Sequence, residues 1–137
     1  MSHLKIQEIV ENFYRFFNAS EFESLFSLID DSMIHEINYV QTKGKDKFID
    51  FILKNKKHYD ETVSDYVLMS SDDMNCLTTK FKVKGKYVHT DDSALPASNQ
   101  DYELDVINYF EIKNNKIVKG LCWFNENEFI RQVAPKN

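Results

Sequence analysis

The chain has 137 residues, enough for one compact domain with one core, and its 42% hydrophobic and 28% charged content excludes a disordered polymer. A net charge of −5, with Arg15 and Arg131 the arginines among 17 basic residues, argues against nucleic acid as a partner, because phosphate neutralisation needs a basic surface. No apolar run reaches the roughly 20 residues of a membrane span, and the start MSHLKIQEIVENF lacks a signal-peptide core, so no membrane partner and a cytoplasmic location are expected.

Cys76 and Cys122 stand far apart with no CxxC spacing, which predicts buried free thiols rather than a zinc site or a disulfide. Aromatic residues reach 14%, with 11 Phe and 7 Tyr, more than a small core needs unless rings also line a cavity.

Ile6, Ile9, Val10, Phe13 and Phe17 form one apolar stripe at helical spacing, broken at Asn18-Ala19. Ser20 and Glu23 then make an S-x-x-E capping box, followed by Phe22, Leu25, Phe26 and Ile29 on one face and by Asp30-Asp31 as a stop. Residues 32–40 read as a strand and Thr42 to Gly44 as a turn. Phe48, Phe51, Ile52 and Tyr59 define a third helix.

From residue 61 the period becomes two. Val63, Val67 and Met69 mark one strand. Along 77–89, Lys80, Lys82, Lys84 and Lys86 alternate with Phe81, Val83, Tyr87 and His89. Residues 90–101 form a long loop with Leu95-Pro96 at its tip, a mobile rim over any cavity. Residues 102–113 and 117–124 are strands joined at Asn114-Asn115, since Asn tolerates positive φ, and residues 126–133 make a short last helix. Helices ahead of an antiparallel meander predict an α+β layer fold in a single domain over 1–137.

The segments FYRFFNASEFESLFSLIDDSMIHEIN, the Gly44-Lys45 turn with its helix, GKYVHTDDSALPASNQDYEL, and FEIKNNKIV followed by WFNENEFIRQV resemble the nuclear-transport-factor-2-like superfamily. They are most similar to its SnoaL-like, ketosteroid isomerase-related members. The resemblance implies a cone: a curved antiparallel sheet wraps three N-terminal helices, encloses an apolar cavity, and often dimerises through its outer face. In ketosteroid isomerases a carboxylate base lies a few residues beyond the acidic pair that ends the second helix, a place that falls on Glu36. The oxyanion-binding carboxyl of the LDVID-like strand corresponds to Asn108, and the first-helix tyrosine to Phe13, or to Asn12 without a gap.

Alternation puts Ile34, Glu36 and Asn38 on one face of the first strand and His35 on the other. Glu36 on an apolar concave face suits a general base, or equally a glutamate bonded to Asn38 for structure. Asn108 suits a group that holds a carbonyl or enolate oxygen, or a buried amide stitching sheet to helix. Phe13, Phe17, Asn38, Phe81, Tyr87, His89, Val106, Phe110 and Phe124 are the expected ligand contacts. His35 and Glu36 face opposite ways and there is no H-x-x-x-H, so no metal is expected; the absence of a G-x-G-x-x-G or a P-loop predicts no cofactor.

If the 90–101 loop joins its strands symmetrically, Lys80 faces Glu111, Lys86 faces Asp105, Lys84 meets Ile107 and Lys82 meets Tyr109, a mixed face suited to a homodimer. Three functions compete: a cofactor-independent isomerase or cyclase acting on a small apolar carbonyl compound, a non-catalytic binder of a hydrophobic ligand, and a dimeric structural domain.

Overall fold

The computed structural model describes residues 3–72 and 75–135. Helix α1 (His3–Asn18) buries Ile6, Ile9, Val10, Phe13 and also Tyr14. It ends where Ser20 takes φ 57, with the Ser20 and Glu21 amides donating to the Phe17 and Phe16 carbonyls. Ser20 therefore closes the first helix instead of capping the second. The expected capping box does not form: α2 (Phe22–Phe26) starts at Glu21 with no side-chain cap. Asn18 docks the helix end on the sheet, its Nδ2 donating to the Val63 carbonyl at 2.9 Å and its Oδ1 accepting the Val63 amide at 2.8 Å.

Strand β1 (Ile29–Ile37) includes Asp30-Asp31, which sequence assigned to a helix stop. The Asp30 carboxylate accepts the Ser32 amide at 2.9 Å across an irregular stretch, where register with the neighbouring strand slips between Ile29 and Ile34. Asn38 and Tyr39 both adopt positive φ and turn the chain into β2 (Val40–Lys43), a strand where only a turn was expected. Gly44, at φ 98, then leads into α3 (Lys45–His58), which buries Phe48 and Ile52.

The remaining strands are β3 (Tyr59–Ser70), β4 (Cys76–Tyr87), β5 (Gln100–Lys113) and β6 (Lys116–Phe124), with the 114–115 turn at φ 52 and 63. Helix α4 (Glu126–Val133) follows, capped by Asn125. The six strands run in the order β2-β1-β6-β5-β4-β3. Every pair is antiparallel except β1 with β6, so the sheet is mixed rather than purely antiparallel. The reason is connectivity: β1 hands the chain through β2 to α3, and β6 arrives beside it from the far end of the meander. The sheet is curved and open, with α1 against β3, α3 against β1 and α4 against β5, the α+β cone that the sequence implied.

Loop 88–99 is two residues earlier at each end than expected, and that resets the β4–β5 register. Lys80 pairs with Ile107, Lys82 with Asp105, Lys84 with Glu103 and Lys86 with Asp101. The lysine row still meets acids, through Lys86–Asp101 at 2.7 Å and Lys82–Asp105 at 3.4 Å, on different partners from those the symmetric loop gave. None of the described helices is long and apolar enough to cross a membrane.

Candidate functional site

The concave side of the sheet and helices α1, α3 and α4 enclose a cavity of about 360 Å³. Its walls follow from strand alternation. Phe81 and Val83 of β4, Leu104, Val106 and Asn108 of β5, and Cys122 and Phe124 of β6 all turn inward. Phe13 and Phe17 come from the first helix.

Five expected ligand contacts therefore line the cavity: Phe13, Phe17, Phe81, Val106 and Phe124. Tyr87 and Phe110 are buried but stand behind the wall. The Tyr87 hydroxyl donates to the Leu95 carbonyl at 2.5 Å, and the Phe110 ring packs edge-on against Phe13 at 5.5 Å. His89 is exposed on the loop, its carbonyl accepting from His58 Nδ1 at 3.0 Å. Asn38 has left the strand for its turn, where Oδ1 accepts the Phe124 amide at 3.1 Å and ties β1 to β6.

The structure separates the expected pair Glu36 and Asn108. Asn108 lines the cavity; Glu36 does not, while its neighbours His35 and Ile37 do. Glu36 pairs with Gln41 and Leu121, and Leu121 with Tyr109, so it belongs to a row on the convex face. Both faces of β1 carry an apolar residue, Met33 on one and Ile34 on the other, so alternation alone leaves the strand's facing open. Burial of Ile29 and Met33, at 2% and 1% exposure, sets it.

Two polar groups occupy the cavity instead. At one, Glu61 of β3 accepts from the Tyr102 hydroxyl at 2.6 Å and from Asn55 Nδ2 at 2.9 Å. Tyr102 reaches it by lying across Gly85, which pairs with both residues on the intervening strand. A Cβ there would stand 2.4 Å from Tyr102 Cζ, so only glycine admits the bridge. Burial raises the Glu61 carboxyl above the usual glutamate range, and burial together with the Glu61 charge raises the Tyr102 hydroxyl.

Nearby, the Tyr59 hydroxyl donates to Asp91, which also accepts the Ser93 amide at 2.9 Å. Burial opposes ionisation of Asp91, but the bonds from Ser93 and Tyr59 outweigh it and hold the carboxyl low. Asp91 and the Tyr87 hydroxyl together pin loop 88–99, which brings Leu95 into the cavity wall.

At the second, Asn108 Nδ2 donates to the Tyr14 hydroxyl at 3.0 Å, and Tyr14 Oη lies 2.5 Å from Thr79 Oγ1. Tyr14 and Thr79 are 2% and 0% exposed. Asn108 Oδ1 is buried without a hydrogen-bond partner among the described residues. Burial lifts the Tyr14 hydroxyl far above its ordinary range and the Cys122 thiol up to about 12, so both stay protonated. His35 packs edge-on to Phe48 at 4.9 Å, and burial drops its imidazole to about 4, leaving it neutral near pH 7.

Sequence reasoning missed Glu61, although extending the period-two pattern back from Val63 puts it on the inward face. It also missed Tyr14, which follows Val10 by four residues on the same helical stripe. Among the described residues, no group of three metal-ligating side chains converges.

No family model and no curated protein matches this chain. Solved structures do. A candidate polyketide cyclase from Pseudomonas putida is 33% identical over 94% of this chain and 98% of its own, with a TM-score of 0.89. One from Xanthomonas campestris is 23% identical over 97% and 100%, at 0.93. One from a Silicibacter species is 22% identical over 95% and 96%, at 0.91. The chain belongs to the nuclear-transport-factor-2-like superfamily, with the SnoaL-like proteins related to these candidate polyketide cyclases.

Proposed function

We propose that the protein is a cofactor-independent enzyme of the cyclase or isomerase type, which moves a proton next to a carbonyl in a small, apolar, uncharged compound held in the cavity. The observation that carries this reading is Glu61: a carboxyl raised by burial, aimed by two neutral donors, on the wall of a ring-lined cavity. A carboxylate raised by burial is a stronger proton acceptor than an ordinary one. His35 is too weak a base at about 4, and Asp91 is held low. Glu61 therefore takes the role that sequence gave to Glu36, and Asn108 keeps the role of holding the ligand's oxygen.

Among the described residues the lining contains no lysine or arginine, while it includes Glu61, Asp91 and Glu126. An anionic ligand would enter against three acids with nothing to pair it, which favours an uncharged one. The likeness to the 33%-identical candidate polyketide cyclase supports the same class of chemistry. The free thiols Cys76 and Cys122 suit a reducing, cytoplasmic setting.

The test is exchange of α-hydrogens for deuterium in a bicyclic ketone such as 2-tetralone, followed by proton NMR. Wild-type protein accelerates exchange, and Glu61→Gln abolishes the acceleration while the ketone still binds. Binding without any acceleration by wild type would reduce the function to a hydrophobic-ligand carrier.

We further propose a homodimer through the convex sheet face. There Ile107, Val67 and Met69 are 42%, 58% and 56% exposed, and they lie near Leu121, Tyr109 and Trp123 in the strand register.

A further inference from the structure

We infer that His35 is a specificity-determining contact: its imidazole binds a second oxygen of the ligand, a hydroxyl or carbonyl that stands about one helical turn from the carbon facing Glu61. The preferred ligands are then ketones that carry another oxygen, not ketones on a bare hydrocarbon ring. This rests on the reading that Glu61 is the base of a ligand cavity, and it gives His35 a part other than that of base.

His35 is the inward residue of β1 between Met33 and Ile37 and lines the cavity. Its ring is held in place. The Phe48 and Phe51 rings of α3 each stand 4.9 Å from it, and a Cβ at Gly120, its partner on β6, would lie 3.8 Å from Cδ2. Neither ring nitrogen has a hydrogen-bond partner among the described residues, and neither is sealed from solvent.

The polar groups elsewhere on the wall are mostly engaged. Glu61 is held by Tyr102 and Asn55, Asp91 by Tyr59 and Ser93, and Asn108 by Tyr14. The Cys122 thiol is a weak hydrogen-bonding group, and Glu126 is exposed on α4.

A neutral imidazole has one N–H and one lone pair. No protein partner fixes the His35 tautomer, so the ring can donate to a carbonyl or accept from a hydroxyl. Burial keeps it uncharged near pH 7, which suits an uncharged oxygen. An unpaired imidazole among rings costs stability that a phenylalanine at the same place would spare. A ligand oxygen supplies the missing bond.

Helix α3 sets the spacing. Phe51 flanks His35, and Asn55, one turn further along the same helical face, donates to Glu61 at 2.9 Å. That turn rises about 6 Å, roughly the width of a second fused ring.

The test compares 6-hydroxy-2-tetralone, whose phenol oxygen stands roughly one helical turn from its α-carbons, with 6-methyl-2-tetralone, similar in shape but without the hydroxyl. By calorimetry, the ratio of the two affinities should favour the hydroxyl compound about tenfold more in wild type than in His35→Phe. His35→Gln keeps a hydrogen-bonding group and should recover part of that ratio. Equal ratios in wild type and His35→Phe would overturn the inference, because Glu61 or Asp91 would then be holding the hydroxyl.

Nitrogen-15 NMR of the His35 ring needs no variant. In wild type the hydroxyl compound should fix one tautomer and move the ring-nitrogen resonances, while the methyl compound leaves the tautomer ratio as it was. The same response to both compounds would equally refute the contact. If the hydroxyl preference depends on His35 but neither ketone exchanges its α-hydrogens, proton transfer by Glu61 fails and this inference stands. Exchange that depends on Glu61, with no hydroxyl preference, keeps the base and removes the His35 contact.

Discussion

Replacing Gly85 with alanine puts a methyl group where the Tyr102 phenol lies, 2.4 Å from Cζ and 2.5 Å from the hydroxyl oxygen. The ring must swing off β4, and its bond to the Glu61 carboxylate breaks. A hydrogen bond to a charged group contributes about 1.5–3 kcal/mol, and overpacking costs about 1–3 kcal/mol. Alanine returns about 0.5–1 kcal/mol relative to glycine inside a strand. The net loss is about 2–5 kcal/mol, which lowers the melting midpoint of a chain this size by roughly 8–20 °C.

Urea unfolding of a double-mutant cycle isolates the cause. In a Tyr102→Leu background the methyl group has room, so Gly85→Ala should there be neutral or stabilising by up to about 1 kcal/mol. An equal cost in both backgrounds, or a cost under about 0.5 kcal/mol in wild type, would refute the bridge.

The other expectations concern acid, the loop and the convex face. Burial holds folded His35 at about 4 against about 6.5 in the unfolded chain, so the unfolded state binds the extra proton between those values. Stability is complete above about pH 6.5 and falls toward pH 4 by at most about 3 kcal/mol; His35→Phe should flatten that part of a urea-midpoint profile. Asp91→Ala removes the acceptor for Tyr59 and Ser93, and amides of loop 88–99 should then exchange hydrogen about tenfold faster, whereas in wild type the Ala94 and Asn99 amides are protected by their bonds to Asp91 and Tyr87. Tyr109→Glu adds a charge to the convex face and should convert a sedimenting species of twice the chain mass to a monomer; a monomeric wild type at high micromolar concentration would reject the dimer.

Much of the cone was legible because its signals are local. The α1 stripe, the alternation of Lys80 to Tyr87 and the Asn114-Asn115 turn each follow from one element's own chemistry. The facing of β1 was not, because Met33, His35 and Ile37 are no less suited to a core than Ile34, Glu36 and Asn38. Packing of Met33 decided it, and the candidate base moved to the convex side with that decision. Ser20 shows the same limit at shorter range: its capping pattern is real, but the α1 end takes the residue for a left-handed turn.

Glu61 was hidden for a different reason. The strand was expected from residue 61, but a glutamate beside the polar Asp60 and Thr62 gives no local sign of burial; the bonds from Tyr102 across Gly85, 41 residues away in sequence, and from Asn55 hold it inside. Tyr14 was overlooked because the helical stripe already had Phe13 beside it; the partners that make it part of the site, Thr79 and Asn108, come from two strands.

The central claim is that the working carboxyl is Glu61 on the concave side, in contact with the ligand. Carbon-13 NMR titration of the glutamate side-chain carboxyls, with and without 2-tetralone, tests it most directly. Glu61 should titrate above the ordinary glutamate range, and its midpoint should move when the ketone binds, while the Glu36 resonance does not respond to the ketone. A Glu61 that titrates like a solvated glutamate and ignores the ketone, or a ketone response at Glu36 alone, would contradict the account.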